Sequence, residues 1–397
     1  MTSNWKECKL EEITDILGDG LHGTPIYTEN GEYAFVNGNN LVNGHIEIKT
    51  DTKRVSESEF IKYKKPLSDR TLLVSINGTL GNVAEYNNEK IILGKSACYF
   101  NLKNNVSKSF IKYVLLSKTF QNYLENNATG TTIKNISLKQ MREYKFLLPH
   151  LETQQKIAKV LSAIDDKIEL NNLINNNLEQ QAQAIFKDKI ITSCNSQKNA
   201  CVGDYCSVKS GFAFKGTWWQ DSGVKVVKIK TIDNDTINFN DCSYVSEDKV
   251  QYAKDFIVQG GDLLIAMTGA TIGKFAIVPK INETLLVNQR VGKFFLGNNP
   301  LEKLPFLYCS LKEQDIINEI INKGQGSAQP NISGTDIMTT YCYMPNNDII
   351  TEFNRVCAPI FDAIISNKYE IQKLTQLRDT LLPKLMSGEI DVDKVEV

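Results

Sequence analysis

The chain is written twice, and this limits its folds more than any other feature of its sequence. GTTIKNIS (Gly130–Ser137) lies over GSAQPNIS (Gly326–Ser333), and LLP ending at Pro149 lies over YMP ending at Pro345. Beyond these prolines the register continues without a gap. Ile157 falls on Phe353, Leu161 on Cys357, Ile164 on Ile360 and Ile168 on Ile364, then Asn171 on Asn367, Leu178 on Leu374 and Ile185 on Leu381. Upstream, LLVSINGTLGNVA (Leu72–Ala84) matches LLIAMTGATIGKFA (Leu263–Ala276), and ENGEYAFVNGNN matches DSGVKVVKIKTI. Features recurring in one order mean one architecture built twice.

Each copy reads as a β-rich domain followed by a long helix. Short apolar runs punctuated by Gly and Asn predict strands: YAFV, TLLVSI, IILG, KVVKI, DLLIAM and FAIV. SFIKYVLLSKTFQNYLENN and KLPFLYCSLKEQDIINEIINKG have helical spacing, so each domain is mixed α+β. The expected order is a first recognition-type domain over 1–149, a long helix over 150–190 and a second domain over 191–345 that begins with a short linker, 191–199. A second long helix follows over 346–386, and a tail over 387–397.

The helix IDDKIELNNLINNNLEQQAQAIF carries asparagines in its apolar stripe. Alternating steps of four and three from Ile157 reach Leu161, Ile164, Ile168, Asn171, Asn175, Leu178, Ala182 and Ile185, a heptad seam with polar members. A helix of about 32 residues spans roughly 48 Å, too long to bury its stripe on its own domain. The simplest partner is the second helix, with seam positions Phe353, Ile360, Ile364, Asn367, Leu374 and Leu381, in an antiparallel coiled coil joining the two domains around a pseudo-two-fold. Buried asparagines would then fix the register at some expense of stability; otherwise Asn171 and Asn367 face solvent beyond the overlap. Pro359 is expected to kink the second helix or delay its regular part.

Composition narrows the function. A net charge of −1 does not advertise nucleic-acid binding. Residues 1–149 carry 19 Lys/Arg against 16 Asp/Glu, and 200–345 carry 14 against 15, so neither domain has the basic excess of a solitary DNA binder. No run of eighteen apolar residues occurs and MTSNWKECKLEE has no apolar signal core, which implies a cytoplasmic address. The nine cysteines form no CxxC pair and read as reduced, mostly buried thiols.

Catalytic motifs are missing. GATIGKF has three residues between its glycines and Phe after the lysine, ILGKS lacks the upstream glycine, and LGDGLHG lacks the strand–helix context of a dinucleotide loop. The three histidines, His22, His45 and His150, have no nucleophile beside them. No Asx-Pro-Pro-aromatic sequence for amine methylation occurs, and no metal-dependent nuclease cluster is evident. The chain therefore reads as a non-catalytic one.

What remains is recognition. In the first domain the polar loops place Gly20, His22, Thr24, Asn39, Asn40, Asn77, Gly78, Thr79, Lys95, Ser96, Thr131, Thr132 and Lys134 as candidate DNA contacts. In the second they place Lys209, Phe212, Lys215, Lys228, Lys230, Thr268, Gly269, Thr271, Lys274, Gln289, Arg290, Gln325 and Ser327. Asn and Gln read adenine, Arg and Lys read guanine, and glycines let the backbone approach phosphate. Such loops are also ordinary turns.

Two longer segments carry a family resemblance. LPHLETQQKIAKVLSAIDDKIELNNLINNNLEQQAQAIF resembles the central conserved region of type I restriction–modification specificity subunits, and LRDTLLPKLMSGEIDV (Leu377–Val392) resembles their C-terminal conserved segment. With the duplicated domain and the GTT approach to the helix, the resemblance covers the whole chain. It implies a DNA-reading subunit without catalysis of its own, which binds no cofactor. It would hold two modification (methyltransferase) subunits carrying S-adenosylmethionine, which methylate an adenine in each half-site. Two restriction (motor-nuclease) subunits using ATP and Mg would join for cleavage. The modification subunits would supply much of the phosphate grip, which answers the charge problem. Two unlike domains imply an asymmetric bipartite target in double-stranded DNA, its half-sites about one helical turn, roughly 34 Å, apart. The second copy departs from the pattern in losing GTT and in carrying Pro359. A free-standing duplicated DNA-binding regulator and a non-DNA coiled-coil scaffold are the competing readings.

Overall fold

The computed structural model describes residues 5–233, 235–324 and 330–395. The chain forms two compact units, each completed by part of the other copy's helix. Unit 1 is Met1–Asp166 with Thr375–Val397, and unit 2 is Lys167–Leu374. The linear order expected from the sequence is thus regrouped, because both long helices are shared.

In unit 1, strands β1 (Thr14–Asp19), β2 (Thr71–Ser75), β3 (Val83–Glu85) and β4 (Ala97–Leu102) form an antiparallel sheet in the order β1-β4-β2-β3. Unit 2 repeats this with β5 (Ser207–Ser210), β6 (Leu263–Ala266), β7 (Phe275–Ile277) and β8 (Val291–Phe295), in the order β5-β8-β6-β7. TLLVS and LLIA are buried along their whole length, which explains why they read as continuous apolar runs rather than as alternation. Beside each sheet lies a parallel pair. Ala34, Phe35 and Val36 face Ile91, Ile92 and Leu93 in unit 1, and Lys225, Val226 and Val227 face Leu285, Leu286 and Val287 in unit 2.

The helical segments inside each domain are both broken in two. Lys108–Leu116 gives way to Lys118–Asn127, where Ser117 leaves helical geometry and caps the second helix by accepting from Phe120 N. Leu304–Lys312 is followed by Gln314–Lys323. Phe110, Val114, Phe120 and Leu124 close the unit 1 core, and Phe306, Cys309, Ile316 and Ile320 that of unit 2.

The NIS common to both copies divides its work among three residues. Ile136 and Ile332 are buried at 1% exposure. Ser137 and Ser333 cap short helices (Leu138–Glu143, Gly334–Met338) in reciprocal capping boxes, with Gln140 and Asp336 as the returning partners. Asn135 and Asn331 form backbone bridges to the turns described below.

The long helices cover Leu151–Phe186 and Asn347–Met386. Within each unit they run antiparallel. In unit 1, Ile157 and Leu161 share the core with Leu381 and Leu385, and Arg378 Nη1 donates to Asp165 Oδ1 at 3.0 Å. The other oxygen of Asp165 accepts from Tyr113 OH at 2.7 Å, tying both helices to the domain. In unit 2, Ala182 and Phe186 pack with Phe353, Cys357, Phe361 and Ile364. Ile164 is buried, whereas Ile168, Leu178, Ile185, Ile360, Leu374 and Leu381 are half-buried, as suits a two-helix seam.

The solvent alternative is excluded for Asn171 (1% exposed), while Asn367 is half-buried; Asn175 (4%) is buried as well. The repeat mates Asn171 and Asn367 take different partners: Asn171 Nδ2 donates to Glu370 Oε2, and Asn367 Nδ2 to Asn175 Oδ1, both at 2.9 Å. Pro359 lies inside one continuous helical span, Asn347–Met386, so it does not delay the regular part of the helix; its ring is exposed while Cys357 and Phe361 beside it are buried in the core. The segment 191–199 does not begin as a free linker. The first helix runs on through a π-turn, Lys187–Ile191, that buries Ile190, and Cys194 is buried after it.

The cysteines are all free, eight of them buried and Cys201 half-buried. Burial pushes the Cys206, Cys242 and Cys342 thiols up to about 12, which leaves them protonated and unreactive. Among the described residues no group of His, Cys, Asp and Glu is placed to hold a metal, and no helix is long and apolar enough to cross a membrane.

Candidate nucleic-acid interface

In unit 1, β1 and β2 end where β4 begins, so the loops leaving these strands gather at one edge of the sheet. The turn after β2 is held by the GTTIKNIS segment: Asn77 bridges Asn135, Gly78 N donates to Lys134 O (3.0 Å) and Ile136 N to Ile76 O (2.9 Å). Gly78 has φ +78° with open space where a Cβ would stand, and Thr79 beside it is exposed. Thr131, Thr132 and Lys134 are exposed on the facing loop, whose base is closed by the Thr129–Asn135 pair.

The turn before β4 joins the same cluster. Leu21 N donates to Leu93 O at 2.7 Å and Ile76 N to Ser96 O at 2.9 Å. Lys95 points to solvent. Ser96 turns inward, its hydroxyl donating to Asn37 Oδ1 and accepting from Gly38 N, each at 2.9 Å. Asn39 is exposed at the tip of the Gly38–Asn40 turn, and Thr24 and His22 are exposed on the neighbouring loop, with His22 beside Asp19.

Two unit 1 candidates prove structural. Asn40 is 4% exposed and its amide is spent on Glu47 O and Thr52 Oγ1, so it braces the turn instead of facing a ligand. Gly20 is buried against the next strand, where a Cβ would stand 2.2 Å from the Gly94 carbonyl oxygen. Glycine is required there for close approach of two backbones.

Unit 2 builds the same edge with the same bonds. Thr268 bridges Asn331, Gly269 N donates to Pro330 O (3.0 Å), and Ile332 N to Met267 O (2.9 Å). Met267 N donates to Arg290 O (3.0 Å), and Phe212 and Asn288 bridge as Leu21 and Gly94 do. Between these turns opens a recess of about 520 Å³ lined by Ser210, Met267, Thr268, Gln289, Arg290, Asn331, Ile332 and Ser333. Gln289, Arg290 and Asn331 are exposed, and Gly269 has φ +72°.

Other unit 2 candidates are committed elsewhere. Lys274 is ion-paired with Asp233, and Thr271 donates to Thr268 O at 3.4 Å. Lys228 lies 3.5 Å from the centre of the Trp219 ring, and burial, with Lys230 nearby, pulls its ammonium below the usual lysine range. Phe212 stacks on Trp218 in a cluster with Phe214, Trp219 and Tyr252. Lys215 lies over Trp218 and Lys209 over Phe295, while Lys230 is exposed. Gln325 and Ser327 lie outside the described residues.

Sequence reasoning overlooked Ser210, Asn331 and Ser333 of the recess. The shared NIS was the signal for the last two. Nothing in the sequence marked the Trp218–Tyr252 aromatic wall, whose members meet only through the fold.

The duplicated edge has clear relatives. The model of the type I restriction modification DNA specificity domain matches the chain twice, over residues 2–180 and 197–378. The MjaIX specificity subunit of Methanocaldococcus jannaschii is 23% identical, over 99% of this chain and 95% of that protein. The HindI specificity subunit of Haemophilus influenzae is 23% identical over 72% and 78%. The solved S subunit of a type I restriction-modification system from M. genitalium superposes with a TM-score of 0.58 over 96% of each chain, at 21% identity. Matched in both of its copies, with the repeated sheet and its loop edge in each, the chain belongs to the type I restriction–modification DNA specificity family.

Proposed function

We propose that this chain is the DNA-reading subunit of a type I restriction–modification complex. Its two domains read the two unlike halves of a bipartite target, and two adenine methyltransferase subunits act where it places them. S-adenosylmethionine belongs to those subunits, and ATP with Mg to two motor-nuclease subunits. The observation that carries this reading is the loop edge built twice from the same backbone bonds. Its exposed side chains are of the types that hydrogen-bond base edges and phosphates. Charge favours a shared grip: with 14 Lys/Arg against 15 Asp/Glu over 200–345, a domain alone has little purchase on a polyanion, so partners must contribute.

The test is methylome sequencing of cells with and without the gene, joined to methyl transfer by the purified complex. Adenine methylation at a two-part motif should vanish with the gene and return with the complex, while the chain alone transfers nothing. Methyl transfer by the isolated chain, or an unchanged methylome, would overturn the reading.

A further inference from the structure

The matching backbone bonds make the two edges comparable position by position. Asn77 corresponds to Thr268, Asn135 to Asn331, Lys95 to Gln289 and Ser96 to Arg290. The two parallel strand pairs add Asn37 opposite Lys228, each following the last paired residue of its strand.

In unit 1 this set is closed on itself. Asn77 Nδ2 donates to Asn135 Oδ1 at 3.2 Å, and the Ser96 hydroxyl is used up between Asn37 and Gly38. In unit 2 every one of these links is gone. Thr268 is too short to reach Asn331, and its Oγ1 is buried without a hydrogen-bond partner. Lys228 has turned onto Trp219 and does not take the place toward Arg290 that Asn37 takes toward Ser96. Among the described residues, the side chains of Asn331, Gln289 and Arg290 make no hydrogen bond or ion pair, and no carboxylate lines the recess they share.

We infer that the two domains read DNA with non-equivalent devices. The unit 2 recess is a base-reading pocket in which Arg290 addresses a guanine edge, while the matching turn of unit 1 is a structural brace that reads no base. This rests on the proposed function and adds to it which residue decides specificity in which domain. An unpaired guanidinium forks onto the O6 and N7 acceptors of guanine, and a wrong base leaves it desolvated and unsatisfied. Gln289 and Asn331 supply amides for a neighbouring base pair, and Met267 and Ile332 give the recess an apolar floor. In unit 1, Lys95 and the Thr131–Lys134 loop remain to hold the duplex.

The experiment uses the assembled complex with its modification subunits. Its motif is first fixed by methylome sequencing, then redetermined for Arg290→Ala, Arg290→Lys and Ser96→Ala. Arg290→Ala should relax one guanine-containing position of one half-site, with discrimination there falling roughly 10- to 100-fold and the other half-site intact. The intact half-site also shows that the variant folds and assembles. Arg290→Lys keeps the charge but loses the fork, so it should relax the same position while preserving the salt dependence of binding. Ser96→Ala should leave both half-sites as they were. Uniform loss over all sequences with a shallower salt slope would make Arg290 a phosphate contact and overturn the inference. An unchanged motif in Arg290→Ala, or a relaxed position in Ser96→Ala, would also overturn it. A wild-type complex with no two-part motif would instead sink the proposed function and the inference together.

Discussion

Asn367 donates its side-chain amide to the Asn175 carbonyl at 2.9 Å, so the two long helices meet within unit 2 through a polar pair where a coiled-coil seam would ordinarily place leucines. With Asn175 buried and Asn367 half-buried, the pair favours one register, since sliding a helix separates the two amides. Asn367→Ala should cost about 1–3 kcal/mol by leaving Asn175 without its partner. The double change to leucine should be near neutral or stabilising. Urea unfolding of Asn175→Ala, Asn367→Ala and the double alanine variant forms the cycle, and additive losses would show that the amides are uncoupled.

The clamp in unit 1 predicts an asymmetric response. Asp165 accepts from both Tyr113 and Arg378, so Asp165→Ala strands a buried hydroxyl as well as a guanidinium. Arg378→Ala leaves the Tyr113 bond intact. Asp165→Ala should therefore destabilise by about 1–3 kcal/mol, and Arg378→Ala by less than about 1 kcal/mol because that ion pair is partly solvated. Equal losses in denaturant titration would argue against the shared acceptor.

The two capping boxes differ in one titratable group. The Ser333 hydroxyl and amide hold the Asp336 carboxyl below the usual range, whereas Gln140 does the same work in unit 1 without a charge. A carboxyl depressed on folding adds stability above its unfolded pKa and loses it as pH falls through the folded one. Ser333→Ala should then cost about 1 kcal/mol at neutral pH and progressively less in acid. Ser137→Ala should cost a similar amount at every pH. A pH-independent loss for both would remove the linkage.

Two glycines separate backbone conformation from packing. Gly78→Ala meets open space and should cost only the strain of a positive φ, about 1–2 kcal/mol. Gly20→Ala drives its methyl into the Gly94 carbonyl and should cost about 1–3 kcal/mol or more. It should also disturb the Lys95 turn, readable as lost amide protection at Gly94 and Ala97, whose amides donate to Val36 O and Gly94 O. Comparable mild losses with an undisturbed turn would contradict the close-packing role of Gly20.

The repeat made the architecture legible, because apolar residues and capping serines must recur where the same core is built again. It also placed Asn77, Lys95, Thr268 and Arg290 at strand ends, which the fold gathers at one edge of each domain. The sequence could not show which polar side chains remain free. Asn40 and Asn39 are neighbours of one residue type, yet one is spent inside the turn and the other exposed. Ser96 and Arg290 share a position, but whether a side chain there turns inward depends on a residue far along the chain, Asn37 or Lys228. Pro359 does not delay the helix for a related reason: the penalty of a helical proline is local, while the anchoring of Cys357 and Phe361 that offsets it is tertiary.

Unit 1 takes Leu381, Leu385 and Val392 into its core from the far end of the chain, whereas unit 2 lies within one continuous stretch. On a ribosome, where domains generally fold as they emerge, the order of completion is therefore reversed. The domain made first waits, its core open at one side, until the segment from Thr375 onward arrives, and the domain made second is finished before it. A nascent chain stalled short of Thr375 would hold a complete second domain and an incomplete first one, so the first core closes only once the second long helix has been made.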